Sequence, residues 1–346
     1  MSAPDLAACA PVLGDWLAAH VEGFRGPFTT HRFSGGQSNP TFGIDAASGR
    51  YVLRAKPLGA LLPGAHAIER EYAVLSALHP AGFPVARPLA LCEDAQVIGA
   101  PFYVMERVEG RIFWDARLPD LPAAERRSAF DAMNATIARL HRLDPAAVGL
   151  AGFGRPGNYC ARQISRWSRQ YLDDPDAGRD ANMDALVQWL PATIPDGDET
   201  AIVHGDFRID NLVFHPVEPR VVAVLDWELA TLGHPLADFA YHCLMYRVPA
   251  SLHIGFGGED PTTLGLPGEA DYVAAYAART GRAAIPAMDW YMAFNLFRFA
   301  AIIHGIRGRI IRGTAASAQA QEAASRFADV AALAWAQARL AQEEGP

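Results

Sequence analysis

Cysteine is sparse and scattered in this chain. Its four copies, Cys9, Cys92, Cys160 and Cys243, stand far apart with no C-x-x-C pair, so the sequence offers neither a zinc ribbon nor a disulfide framework. A reducing, cytoplasmic setting is the expectation. There is no run of lysines and arginines, and the formal net charge is -8, which removes the electrostatic basis for a nucleic-acid partner. A basic leader is missing too. The first two dozen residues carry Asp5 and Asp15, with Leu6, Val12, Leu13, Trp16 and Leu17 near helical spacing, and predict an amphipathic helix instead of a signal peptide. No stretch suits a membrane span, because the longest apolar one, Trp290 to Ile306, is interrupted by Arg298 and His304. Fixed-period repeats and low-complexity tracts are also absent, although the alanine-rich last thirty or so residues predict a closing helix.

What is present is a globular chain of 346 residues, 51% hydrophobic and 20% charged, long enough for two lobes with real cores. Its style changes near residue 107. Short β-like runs come first, at 28 to 34, 40 to 46, 50 to 56 and 100 to 108, interrupted by a helix-like insert at 66 to 78. Helical patterns follow at 122 to 143, 161 to 172, 270 to 280, 288 to 306 and 316 to 342. The expected fold class is α+β, with a small β-rich lobe over 1–106 and a larger, mainly helical lobe over 107–346.

Within the second lobe, "VHGDFRIDN" (Val203 to Asn211) packs five polar residues between strand-like runs. His204, Asp206 and Asn211 make H-x-D-x-x-x-x-N, the spacing of a phosphotransferase loop in which the aspartate orients or deprotonates an attacking hydroxyl and the asparagine holds magnesium. Fifteen residues on, the apolar run Val221 to Leu225 delivers Asp226 at its end. Two carboxylates and an amide form an oxygen-rich set suited to Mg²⁺. Taken singly, His204 reads as a packed residue bracing the loop, and Arg208 with Asp210 as a solvent-facing pair.

The first lobe supplies the nucleotide side. A turn containing Ser34, Gly35 and Gly36 lies between two strand-like runs, where its backbone can close over phosphates or simply form a hairpin. Arg54 and Lys56 are two apart, hence on one face of a strand, and Glu69 and Glu71 lie on the helix that follows. A strand cation paired to a helix carboxylate positions nucleotide phosphates. The segment Pro101 to Gly110 then reads as an extended linker with backbone groups for an adenine.

These residues carry a resemblance. "HGDFRIDN", "LDWELATLGHPLADFA" and "EREYAVL" make the chain similar to the aminoglycoside phosphotransferase and choline kinase family, which has a two-lobed protein-kinase-like fold, from about residue 28 to beyond 300. Through "YVLRAKP", "LLPGAHAIEREY" and "FRFAAIIHGI" it most resembles the branch fused to acyl-CoA dehydrogenases. The resemblance implies ATP and Mg²⁺ as cofactors, Asp206 as catalytic base, and Asn211 and Asp226 as metal ligands. It also implies Glu71 as partner of the phosphate-holding cation, Glu106 and Val108 as the backbone that binds adenine, and Asp238 as a support of the catalytic loop. Many kinases carry lysine where this chain has Arg54, with Lys56 two residues later, so either cation fits the role.

The expected activity is phosphoryl transfer from ATP to a hydroxyl of a small molecule. For the acceptor the residues point two ways. Asp173 to Asp184 holds five aspartates, a patch suited to a polycation such as an aminoglycoside or to plain solvation. Against it, Arg298, Arg307, Arg309 and Arg312 fall in one helix-like stretch, and arginine suits phosphates and carboxylates. The balance favours an anionic acceptor held by Arg298, Arg307 and Arg309, with a hydroxyacyl-CoA as the example that the resemblance supplies. A non-catalytic nucleotide-binding module is the alternative outside enzymes, a homodimer is compatible with the chain, and no nucleic-acid or membrane partner is expected.

Overall fold

The computed structural model describes residues 3–33, 39–59, 66–252, 255–314 and 317–343. The chain forms two compact units that are not successive halves. One joins Met1–Ile112 with Pro145–Phe153 and Asp210–Ala230; the other comprises Phe113–Asp144, Gly154–Ile209 and Thr231–Pro346.

The first unit is built on a five-stranded antiparallel sheet of order β1-β2-β3-β5-β4, with β1 at Phe28–Arg32, β2 at Thr41–Ala46, β3 at Gly49–Ala55, β4 at Pro88–Cys92 and β5 at Phe102–Glu106. Strand β3 is central, and its last five residues are all buried. A strand covered on both faces loses its alternation, yet its side chains still divide by parity. Tyr51, Leu53 and Ala55 join the apolar cluster containing Leu13 and Leu17 of helix α1 (Ala10–His20). Arg54 has the opposite parity and meets helix α2 (Ile68–Leu78). Strand β4 escaped the sequence pattern, for Pro88 opens it and a bulge interrupts its pairing with β5. A hairpin completes the unit, with β7 at Leu212–Phe214 and β8 at Val221–Val224, after β6 has been laid down elsewhere in chain order. Arg111 and Phe214 exchange two backbone hydrogen bonds of 2.8 Å, and Val224 N–H donates to the Pro84 carbonyl.

The second unit is helical, with a two-stranded ribbon pairing β6 (Ala201–Val203) and β9 (Thr231–Gly233). Its helices are α3 (Ala123–Arg142), α4 (Tyr159–Leu172), α5 (Ala181–Ala192), α6 (Pro235–Arg247), α7 (Glu269–Thr280), α8 (Met288–Ile311), α9 (Ala318–Ser325) and α10 (Phe327–Glu343). The closing helix is therefore two, broken at Arg326, because Phe327 turns into the core at 3% exposure. Helix α6 left no amphipathic signal, since eleven of its thirteen residues are buried and a helix buried all round shows no stripe. Helix α5 arises inside the acidic stretch, where the Asp180 carboxylate caps it by accepting from the N–H groups of Asn182 and Met183. Helix α8 packs against α4, α6 and α10. Among the described residues no helix is long and apolar enough to cross a membrane.

Phe239 of α6 is fully buried and stacks on Tyr276 of α7 with ring centroids 3.7 Å apart. Removing the ring leaves a cavity in the middle of this unit, and Phe239→Ala is expected to cost about 3–5 kcal/mol of stability, read from urea unfolding of the purified variant.

Candidate functional site

In the first unit, one cation organises the carboxylates. Arg54 projects from β3 with 9% exposure, its Nε lying 2.7 Å from Glu71 Oε2 and its Nη2 2.7 Å from Asp226 Oδ1. Glu228 stands 4.0 Å away. Glu71 is further held by the Tyr103 hydroxyl at 3.1 Å and the Asn39 amide at 2.7 Å, and Asn39 meets His66 at 3.0 Å. Glu69 and Glu71 are 200° apart on an α-helix, so α2 turns Glu71 inward and leaves Glu69 to Lys56, 2.9 Å away at the surface.

Burial, the largest influence on Arg54, weakens its charged form, but Glu71, Tyr103, Asp226 and Glu228 more than offset that and raise its pKa. Glu71 is pushed up to about 6, first by burial and then by Asp226 and Glu228, against the pull of Arg54. Burial is the largest influence on both groups, and Glu71, Asp226 and Glu228 act on the same guanidinium.

Asp226 follows β8 in a left-handed conformation, φ 62°. The Asn211 carbonyl accepts from Leu225 N–H at 2.8 Å, which sets Asn211 beside the residue preceding Asp226. Glu106 ends β5 with an exposed side chain 3.4 Å from Arg87, its N–H donating to the Arg87 carbonyl. Val108 lies just beyond, and among the described residues its backbone N–H and C=O have no partner. Ser34, Gly35 and Gly36 lie outside the described residues.

The second unit holds the loop that follows β6. The Asp238 carboxylate, in the first turn of α6, accepts from His204 N–H at 2.9 Å and Gly205 N–H at 2.8 Å, and pairs with His141 Nε2 at 3.1 Å. Burial is the largest influence on Asp238, but His141, His204 and these donors together hold its pKa below the usual value. Asp238 thus braces the loop. Gly205 takes φ 85°, a conformation that suits glycine. His204 is fully buried and its Nδ1 accepts from Asp206 N–H at 3.2 Å, a bracing role.

Asp206 Oδ1 accepts from the Tyr241 hydroxyl at 2.5 Å and lies 3.0 Å from Arg208 Nε. Burial and the Asp206 charge raise the Tyr241 pKa well above that of an ordinary phenol, so it stays a donor. His242 meets the Phe207 carbonyl at 3.1 Å and the Tyr272 hydroxyl at 2.7 Å. Asp238, Tyr241 and His242 are spaced i, i+3 and i+4, which places all three on one side of α6. The sequence reading missed Tyr241 and His242; their signal was that spacing, hidden in a run otherwise apolar.

The three arginines proposed for the acceptor do not share a face. Arg298 and Arg307 are nine residues apart on α8, half a turn around the axis. Arg307 lies over the Phe327 ring, 5.9 Å from its centroid, and the exposed Arg309 sits beyond it. Arg298 donates to Asn295 Oδ1 at 3.0 Å, while its buried Nε has no partner among the described residues. Its charge acts on Tyr241 and on Tyr159 and Cys160 at the start of α4. The acidic stretch and the arginine stretch meet each other: Arg312 grips Asp174 at 2.7 and 2.9 Å.

Mg²⁺ is usually held by one or two protein carboxylates, with phosphates and water completing its shell. Among the described residues no group of three His, Cys, Asp or Glu side chains is arranged to hold a metal ion. Asn211 and Asp226 offer the kind of partial, all-oxygen set that such an ion takes.

Residues 29–294 match the phosphotransferase enzyme family. The chain is 46% identical to mouse acyl-CoA dehydrogenase family member 10 over 312 residues, 90% of this chain and 29% of that one. It is also 46% identical to chicken acyl-CoA dehydrogenase family member 11, covering 86% of this chain and 39% of the relative. The chain therefore spans well under half of the curated relatives it matches. A crystal structure from Ralstonia eutropha JMP134, provisionally described as an aminoglycoside phosphotransferase, superposes with a TM-score of 0.87 at 48% identity, over 95% of this chain and 98% of that one. Choline kinase from Cryptosporidium parvum, at 11% identity, TM-score 0.62 and coverage of 97% and 96%, shares the fold, which is protein-kinase-like.

His242 tests the bracing of the loop. Burial lowers its pKa from 6.5 to about 4, so between those values the unfolded chain binds a proton that the native state refuses, and stability falls as pH falls. In His242→Gln, stability plotted against pH from 6.5 to 4 is expected to lose one proton's worth of slope, measured by urea titration at each pH.

Proposed function

Given that the chain belongs to the phosphotransferase enzyme family and that its fold is that of enzymes acting on hydroxyl groups, we propose that it is a small-molecule kinase moving the γ-phosphate of ATP to an anionic hydroxylated metabolite. The observation that carries this reading is the state of Asp206. The Tyr241 hydroxyl and Arg208 hold one of its oxygens, and Asp238 fixes the backbone leading into it. A carboxylate so constrained is suited to orient an acceptor hydroxyl and take its proton as the phosphoryl group is transferred.

In this reading Asn211 and Asp226 hold Mg²⁺, which neutralises charge on the nucleotide phosphates. Arg54, positioned by Glu71, is the phosphate-holding cation. Lys56 is tied to Glu69 at the surface instead. The backbone at Glu106 and Val108 takes the adenine, and Ser34, Gly35 and Gly36 cover the phosphates.

For the acceptor we keep Arg298, which stands on α8 where that helix packs against α6, the carrier of Tyr241, and leave out Arg307, on the opposite side of α8, and Arg309, about three turns further along it. A hydroxyacyl-CoA remains the favoured example, supported by the kinship with proteins named as acyl-CoA dehydrogenase family members. The aminoglycoside reading has less to stand on. Asp174 and Asp176 are occupied by Arg312, Asp180 caps α5, and Asp184 serves Arg179 and Tyr171, so four of the five aspartates already have partners. A non-catalytic module would have no chemical use for Asp206, Asn211 and Asp226 together.

Asp206→Ala is expected to lower ADP formation on a hydroxyacyl-CoA by a factor of about 10²–10⁴ while ATP affinity stays within a few-fold, measured by a coupled ADP assay and calorimetry. Turnover near the native level would show that another group meets the hydroxyl. Robust phosphorylation of kanamycin with none on CoA thioesters would overturn the anionic acceptor.

Asp226→Ala should abolish the tightening of nucleotide binding by Mg²⁺. Calorimetry of ATP with magnesium and with chelator gives the comparison, and a full magnesium effect in the variant would place the ion elsewhere.

A further inference from the structure

Helix α4 contains no aspartate or glutamate. Along its outer side Arg162, Arg166 and Arg169 follow one another at i, i+4 and i+7, with Ser165 between them, and these residues line a groove of about 580 Å³ together with Gln170 and Asp173. Like charges at i and i+4 oppose helix formation, and exposed helices usually intersperse carboxylates to relieve them. Other arginines of this unit find such partners: Arg247 lies 2.6 Å from Glu269, Arg279 2.6 Å from Asp131 and Arg312 2.7 Å from Asp174. Among the described residues, Arg166 and Arg169 meet no carboxylate within 4 Å, and Arg162 donates only to the Arg155 carbonyl. In a chain of net charge -8, a groove of unneutralised arginines is a local reversal of sign.

We propose that this groove is a binding site for the phosphate groups of a small molecule, and that the molecule is the kinase acceptor itself. The inference rests on the reading of Asp206 as the point of transfer, although the binding it describes does not. Arg298 links the two regions. It stands on α8, which packs against both α4, the carrier of the arginine groove, and α6, the carrier of the Tyr241 that holds Asp206. Its Nε is buried with no partner among the described residues, so a donor is available on the helix that packs against both.

The groove is built on a fixed support. Gln170 donates to the Ala301 carbonyl of α8 at 3.0 Å, and the Arg166 guanidinium lies 5.0 Å from the Trp167 ring centroid, a contact that orders it. From Arg162 to Arg169 the helix rises about 10 Å, enough for more than one phosphate. Asp173 closes the far end and repels an anion there, which places the ligand over the three arginines.

Inorganic tripolyphosphate is the probe, titrated by calorimetry into the full chain saturated with AMP-PNP, with Mg²⁺ in excess over all phosphates. The native protein should bind it, and the dissociation constant should rise tenfold or more in Arg166→Glu and Arg169→Glu, the loss expected for one charge-assisted contact. Arg166→Gln and Arg169→Gln should shift it the same way by less. Arg307→Glu, on the side of α8 that meets Phe327, should leave it unchanged. Equal weakening by that reversal would mean general charge attraction and would overturn the site, as would unchanged binding after the α4 reversals. ADP formation on a hydroxyacyl-CoA without tripolyphosphate binding would remove the site and leave the kinase reading, whereas binding without ADP formation would do the reverse.

Discussion

The Arg54 guanidinium is the constraint on which the first unit depends. A buried cation is costly unless its partners replace the water it has lost, and here Glu71 and Asp226 both do so at 2.7 Å. The consequence is architectural as well as electrostatic. Arg54 comes from the central strand, Glu71 from α2 and Asp226 from the end of β8, so one side chain ties three elements together. Lys56 is the only lysine in the chain. An ammonium at position 54 would present a point charge, whereas the planar fork serves two carboxylates from separate nitrogens.

In the second unit the corresponding constraint is carried by α6. Asp238, Tyr241 and His242 project from one side of that helix to the chain between His204 and Phe207. The loop is thereby held by backbone contacts at both ends and by a side-chain contact at Asp206. Loops are mobile by default and function needs them still. Here the stillness comes from a helix so fully buried that it has little freedom to move.

Charge complementarity within the protein also decides what is left for a ligand. The aspartates of 173 to 184 and the arginines near the end of α8 look in sequence like two competing recognition surfaces. Folding brings Asp174 against Arg312, and the two features partly cancel. Among the described residues, the arginine face of α4 remains without carboxylate partners; its three arginines lie within eight residues of sequence, and only the fold shows that no acidic neighbour meets them.

The sequence by itself determined the elements whose signals are local. Strands β1, β2, β3 and β5, helix α2 and most long helices follow from periodicity, and the H-x-D-x-x-x-x-N spacing of His204, Asp206 and Asn211 follows from chain order. Identifying the phosphotransferase family required no more than those stretches. Tertiary structure alone decided the rest. Parity on β3 made Arg54 and Lys56 equivalent, and only the packing of α2 gave Arg54 to Glu71 and Lys56 to Glu69. Helix α6 was silent because burial on every side erases the alternation that reveals an element, and the three residues of β9 are too few to show one. Tyr241 was invisible as a partner of Asp206 because the two are 35 residues apart. The physical reason is the same in each case: periodicity records which side of an element faces water, whereas a site is made by distant side chains meeting where water has been excluded.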